Sequence, residues 1–172
     1  GVKEYGPHEG HDILARWEEK GIIKSIITQN VDGFHQLAGS KRVAELHGTL
    51  QTLRCQSCGK EYNSESYVNK EYYCECGGVL RPNVVLFGEP LPEDAFQFAM
   101  KETNKADLFI VLGSSLTVSP ANQFPLYAKQ NGAKLVIVNM EPTEFDIYAD
   151  EVIHGKKIGD VLRSLDRLLE KK

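Results

Sequence analysis

The chain has 172 residues, with 20 Lys and Arg against 24 Asp and Glu, and a net charge of −4. That balance gives no general attraction to nucleic acid or to an anionic membrane, and no apolar run approaches the roughly 20 residues of a membrane-spanning helix. At 41% hydrophobic residues, the length suits one domain with a proper core, or one domain carrying a small insertion. The opening residues lack the basic-then-apolar pattern of an export signal, so a cytoplasmic location with reduced thiols is expected.

In chain order, residues 11–20 place Ile13, Leu14 and Trp17 on one helical face, and Gly21 stops the helix. A β-rich run over 22–28 ends in the polar loop TQNVDG. The segment 49–79 is polar, rich in tyrosine, and holds all four cysteines. Continuous apolar runs at 108–112, followed by Gly-Ser-Ser, and at 135–138, followed by Asn139, read as strands buried on both faces. Helices are expected over 92–103 and 120–131, a short strand at 151–153, and a last helix over 159–170. Val161, Leu162, Leu165, Leu168 and Leu169 form one apolar stripe on that helix. Strands alternating with helices predict an α/β, doubly wound parallel sheet, and in such sheets ligands bind beyond the carboxyl ends of the strands. The TQN, GSS and N-x-E segments are expected together at that edge.

Cys55-x2-Cys58-Gly and Cys74-x-Cys76-Gly, fifteen residues apart, come close to the spacing of a zinc ribbon. The second pair is one residue tighter than usual. A glycine after each pair lets the backbone turn so that both thiolates face one ion. Two disulfides or four unrelated thiols are the competing readings, and a reduced compartment disfavours both. Four thiolates saturate tetrahedral Zn2+ and leave no position for water, so the ion is expected to be structural. The domain division is then 1–48 and 80–172 for the doubly wound part, and 49–79 for an inserted zinc-ribbon module.

The flanking motifs, TQNVDGFHQLAG and VAELHGTL before the cysteines and RPNVVLFGE, GSS and VNMEP after them, resemble in order those of the sirtuin family, the NAD-dependent protein lysine deacylases. The resemblance implies a Rossmann-like NAD-binding domain with an inserted zinc module. It implies that His47 is the general base. The acyl oxygen of a modified lysine attacks the ribose carbon bearing nicotinamide, and the histidine then takes a proton from the ribose hydroxyls. A histidine suits that task because its ordinary pKa keeps much of it neutral and basic at working pH. By the same resemblance Asp32 accepts from the nicotinamide carboxamide, while Gln29 and Asn30 orient ribose and an ordered water. An Asx turn explains the same residues without any ligand.

Val85, Phe87, Gly88 and Glu89 match the segment that receives the acylated lysine of a protein substrate, by strand addition along exposed backbone. Gly113, Ser114 and Ser115 correspond to the loop that meets the NAD phosphates and adenosine. Asn139 and Glu141 fall where the adenosine ribose is held, and Asp160 and Val161 near the adenine. His35 reads as structural, and His8, His11 and His154 as surface residues. The Gly-Ala-Gly-x-Ser phosphate loop of sirtuins does not occur in these residues, so the sheet is expected to be incomplete at its N-terminal side. Two other functions stay open on the sequence: a zinc- and nucleotide-binding module without turnover, and transfer of ADP-ribose to protein.

Overall fold

The computed structural model describes residues 6–86 and 88–171. Helix α1 (Glu9–Glu19) buries Ile13 and Trp17. It ends in a Schellman motif, in which Ile22 N–H reaches the Trp17 carbonyl at 2.8 Å and Gly21 N–H the Glu18 carbonyl at 3.0 Å. That turn consumes the start of the 22–28 run. Strand β1 is therefore only Ile26–Thr28, and Ile22 lies exposed.

The short helix α2 (Phe34–Leu37) and strand β2 (Val43–Glu45) follow, with β1 and β2 pairing in parallel. Strands β3 (Gly48–Cys55), β4 (Glu61–Asn63) and β5 (Leu80–Val84) form an antiparallel sheet in the order β4-β3-β5, with helix α3 (Glu65–Val68) between β4 and β5. The sheet that carries the cysteines thus extends through Val84. Its small core is Leu53, Cys55, Cys74 and Leu80, covered by Tyr62 and Tyr67.

The rest is α4 (Glu93–Lys105), β6 (Leu108–Leu112), a 3-10 turn at Ala121–Gln123, α5 (Phe124–Gln130), β7 (Lys134–Val138), β8 (Glu151–Ile153) and α6 (Ile158–Glu170). β6, β7 and β8 are parallel and adjacent. Helices α4 and α5 cover one side: Ala99, Ala121 and Phe124 pack with Ala44 and Leu46 of the β2 end, and with Phe109 of β6. Helices α1 and α6 cover the other, where Ile13, Trp17 and Leu162 meet Leu112 and Ile23. This is the doubly wound α/β arrangement, with one difference from the sequence reading. Among the described residues the parallel strands form two sheets, β1-β2 and β6-β7-β8, and not one.

Two further expectations change. The α6 stripe buries Val161 and Leu162 only; Leu165, Leu168 and Leu169 are 37%, 60% and 38% exposed. Its packing partner is α1, which reaches only part of that face, and Asp166 draws the contact by accepting from Arg16 Nη2 at 2.8 Å and Trp17 Nε1 at 2.9 Å. His11 is not a surface residue: it is 7% exposed, because its ring lies among those of His8, Phe34 and His35. Among the described residues no helix is long and apolar enough to cross a membrane.

Candidate active site

The TQNVD loop and the LHGTLQ segment are laced together rung by rung. Leu46 N–H donates to the Thr28 carbonyl at 3.0 Å and Leu50 N–H to the Val31 carbonyl at 2.8 Å. Between these rungs His47 Nδ1 lies 3.2 Å from the Gln29 carbonyl oxygen. A carbonyl can only accept, so Nδ1 carries the proton and Nε2 is left as the basic nitrogen of the neutral ring. The His47 carbonyl accepts from Val85 N–H at 2.8 Å, which aligns the end of β5 beside the histidine. Gly48 makes this fit possible. Its φ is +79°, and a side chain there would overlap the Asn83 carbonyl oxygen on β5.

Asp32 Oδ1 accepts from Phe34 N–H at 2.9 Å, the Asx turn that the sequence offered as the plain reading, and this starts α2. Asn30 N–H is held by Thr28 Oγ1 at 3.1 Å, and Gln51 Nε2 donates to the Asp32 carbonyl at 2.9 Å. Thr28 and Gln51 are thus fixing residues that sequence reasoning missed; only their positions in the folded loops reveal them. Behind this loop, burial first and then the cationic tendency of His8 and His35 push His11 down to about 4. Burial likewise lowers His35 and raises Glu45, which Asp32 also disfavours as an anion.

Of the residues expected to receive the peptide, Val85 is half-buried next to His47 and Gly88 is exposed with φ +82°. Phe87 lies outside the described residues. Glu89 turns inward: its carboxylate takes both Arg81 guanidinium nitrogens at 2.9 Å and the Leu86 N–H at 2.8 Å. Arg81, followed by that backbone N–H, holds Glu89 at about 2. Its geometry is that of a brace tying Leu86 to Arg81.

At the ends of β6 and β7 a second group of expected residues gathers. Gly113 N–H donates to the Val138 carbonyl at 2.8 Å, and a side chain at 113 would strike Ile158 at the start of α6. Ser114 Oγ accepts from Leu116 N–H at 3.1 Å, and Ser115 Oγ lies 3.1 Å from Thr117 Oγ1. Leu116 is buried at φ +58°, a strained conformation for a branched residue. Asn122 Nδ2 secures it through the Leu116 carbonyl at 3.2 Å. Asn139 Nδ2 donates to the Glu141 carbonyl at 2.9 Å. Asp160 is exposed and pairs with Arg163, while the Val161 side chain is buried in the helix packing and its N–H donates to the Lys157 carbonyl at 3.1 Å.

The four cysteine Sγ atoms all lie within 4.8 Å of one another, with Cys55–Cys76 at 3.5 Å and Cys58–Cys74 at 3.6 Å. Four sulfurs about 2.3 Å from a tetrahedral zinc stand about 3.8 Å apart, so the donor set fits a single structural Zn2+. The shell around them favours thiolates. Ser57 and Cys58 N–H point at Cys55 Sγ, Gly78 N–H at Cys76 Sγ, and Tyr62 hydroxyl at Cys74 Sγ at 3.1 Å. The Tyr62 hydroxyl and then the Cys76 N–H bring Cys74 down to about 6. The Gly78 N–H lowers Cys76, but the neighbouring sulfurs push it up to about 12. A dication at the centre removes that mutual repulsion. Gly59 and Gly77 turn at φ +78° and +90°, as the sequence required.

Fold and site together define a doubly wound α/β domain with an inserted four-thiolate zinc module, whose sheet abuts a histidine oriented by a strand-end loop. The chain belongs to the Sir2 family, whose model matches residues 2–120. It is 69% identical over 164 residues to an NAD-dependent protein deacetylase of Oceanobacillus iheyensis, a match spanning 95% of this chain and 70% of the relative. It is 63% identical over 168 residues to NAD-dependent protein deacetylase 1 of Geobacillus kaustophilus, spanning 98% and 69%. Among solved structures, a Sir2–p53 peptide–NAD+ complex superposes with a TM-score of 0.88 at 40% identity, covering 97% of this chain and 72% of that one. A Sir2Tm bound to a propionylated peptide gives 0.89 at 41% identity, covering 97% and 73%.

Proposed function

We propose that this Sir2-family protein is an NAD-dependent protein lysine deacetylase, with His47 as its general base. The observation that carries the assignment of the base is the His47–Gln29 contact at 3.2 Å, which commits Nδ1 as the donor and reserves Nε2 for accepting a proton. NAD supplies an ADP-ribose acceptor and nicotinamide as the leaving group. Gln29, Asn30 and Asp32, on the loop that orients His47, bind the nicotinamide ribose and carboxamide. Gly113, Ser114 and Ser115 take the phosphates, and Asn139 and Glu141 the adenosine ribose, with Asp160 and Val161 near the adenine. Val85 and Gly88 pair with the backbone of an acylated peptide, Phe87 walls the lysine stem, and Glu89 shapes the turn that carries them. Four thiols clustered as metal ligands support a cytosolic location.

The test is mass spectrometry of the protein as its gene encodes it, incubated with an acetyl-lysine peptide and NAD. Free lysine, nicotinamide and O-acetyl-ADP-ribose are expected in equal amounts, and His47→Ala should lose at least a hundredfold in rate, as expected for a positioned base. Substrate binding without these products, or ADP-ribose label on protein in their place, would overturn the proposal.

A further inference from the structure

Beyond the zinc and the His47 loop, a polar network stands out at the β7 and β8 ends. His154 directly follows β8, which pairs in parallel with β7. Its Nδ1 lies 3.0 Å from the Asn139 carbonyl oxygen and its Nε2 2.8 Å from Asp146 Oδ2. The same carboxylate gathers the far end of the loop: Thr143 N–H donates to Oδ2 at 3.0 Å and Thr143 Oγ1 to Oδ1 at 2.6 Å. Backbone bonds complete the enclosure, with Asn139 N–H on the Ile153 carbonyl and Gly155 N–H on the Met140 carbonyl, both at 3.1 Å. Loop 139–146 is thus closed at both ends on one imidazole.

The acceptors determine the state of that ring. A carbonyl oxygen accepts only, so Nδ1 must carry a proton. Asp146 Oδ2 already accepts from Thr143, and its carboxyl is held below the usual range because hydrogen bonds from Thr143 and His154 outweigh burial, so it is an anion and Nε2 must donate as well. Both bonds exist together only in the imidazolium. The ionisable groups facing it are Asp146 at the far end of the loop and Glu141 within it. The Asn139 carbonyl, then Asp146, raises the pKa of His154.

We propose that His154 is a positioning residue for dinucleotide binding, a cationic clasp that sets loop 139–146 in the shape presenting Asn139 and Glu141 to the adenosine ribose. The inference rests on the adenosine role proposed above for those two residues. Among the described residues the His154 ring is bonded to Asn139 and Asp146, and to neither His47 nor the Val85 end of β5. Its influence therefore falls on affinity for the dinucleotide and not on turnover at saturation. Deprotonation breaks one of the two bonds, so affinity falls on the alkaline side of the ring's titration.

The experiment uses the protein as its gene encodes it, with ADP-ribose as the calorimetric probe and NAD as the kinetic one. His154→Ala is expected to weaken ADP-ribose binding about tenfold, the effect of one charge-assisted hydrogen bond, and to raise KM for NAD equally with kcat unchanged. In the unsubstituted protein KM for NAD should climb as pH rises through the titration of His154, and His154→Gln should abolish that climb at a uniformly raised KM. Nitrogen-15 spectra should show both ring nitrogens of His154 protonated together, with a pKa raised above that of a free imidazole, a reading that needs no variant to fold. A His154 pKa no higher than that of a free imidazole, or unchanged ADP-ribose affinity in a folded His154→Ala, overturns the inference. If Asn139→Ala and Glu141→Ala also leave ADP-ribose affinity unchanged, the adenosine reading itself has failed; if they weaken it while His154→Ala does not, only the clasp has.

Discussion

Replacing Gly48 by alanine tests whether the zinc module's sheet is what sets His47. Gly48 pairs with Val84 across β3 and β5 and sits at φ +79°, where an added Cβ would overlap the Asn83 carbonyl oxygen and stand 3.0 Å from Val84 Cα. The left-handed backbone alone costs alanine about 1–2 kcal/mol. The collision is with backbone, which has no rotamer to move, so β5 must shift, adding about 1–3 kcal/mol. The sum, about 2–5 kcal/mol, is a large share of the 5–15 kcal/mol typical of a domain. Gly132→Ala is the control, with φ +95° and nothing within 4 Å of the added atom, so it carries the backbone cost alone. Urea unfolding followed by circular dichroism should give Gly48→Ala a loss about 1–3 kcal/mol greater than that of Gly132→Ala at equal m values. Because Val85 N–H is bonded to the His47 carbonyl, the β5 shift should also lower kcat/KM for deacetylation in Gly48→Ala alone. Equal losses of stability in the two variants, with activity intact in both, would refute the reasoning.

Stripping zinc with a chelator should unfold the β3–β5 sheet and abolish deacetylation, with both restored by one Zn2+ per chain; full activity in metal-free protein would contradict a scaffold role. Burial and its histidine neighbours hold His11 at about 4, whereas the unfolded ring titrates near 6.5. The unfolded state therefore binds the proton first, and this contribution to stability is complete above about 6.5 and lost as pH falls toward about 4. His11→Gln should flatten the stability–pH slope in that window, as read by denaturant midpoints. Glu89 behaves as a depressed carboxylate: with Arg81 holding it at about 2 against about 4.3 unfolded, its contribution is whole above 4.3 and disappears as pH falls through 2. Glu89→Gln should remove that acid limb and loosen the tie between Leu86 and Arg81, seen as a raised KM for the acetyl-peptide.

How much of this was legible beforehand depends on the range of the interaction. Cys55, Cys58, Cys74 and Cys76 declare their chemistry through type and spacing, because a chelating pair is a local feature and thiolates in a reduced compartment have few other uses. The strands at Leu108–Leu112 and Lys134–Val138, the α1 stop at Gly21 and the motif order around the cysteines are equally local. They sufficed for the fold class, the zinc and the family. Residues whose role depends on what folds against them were misjudged or missed. His11 looked like a surface residue because helical periodicity does not reveal that α2 closes over the start of α1. The stripe on α6 implied a fully covered face, but its partner α1 reaches only Val161 and Leu162. His154 gave no signal at all, since its acceptors lie 15 and 8 residues away in the chain and meet it only when β8 lies beside β7. Composition and spacing determined which chemistry the chain carries. Tertiary structure alone decided which nitrogen of His47 is free, because the Gln29 carbonyl that claims the other is brought there by strand pairing and not by sequence.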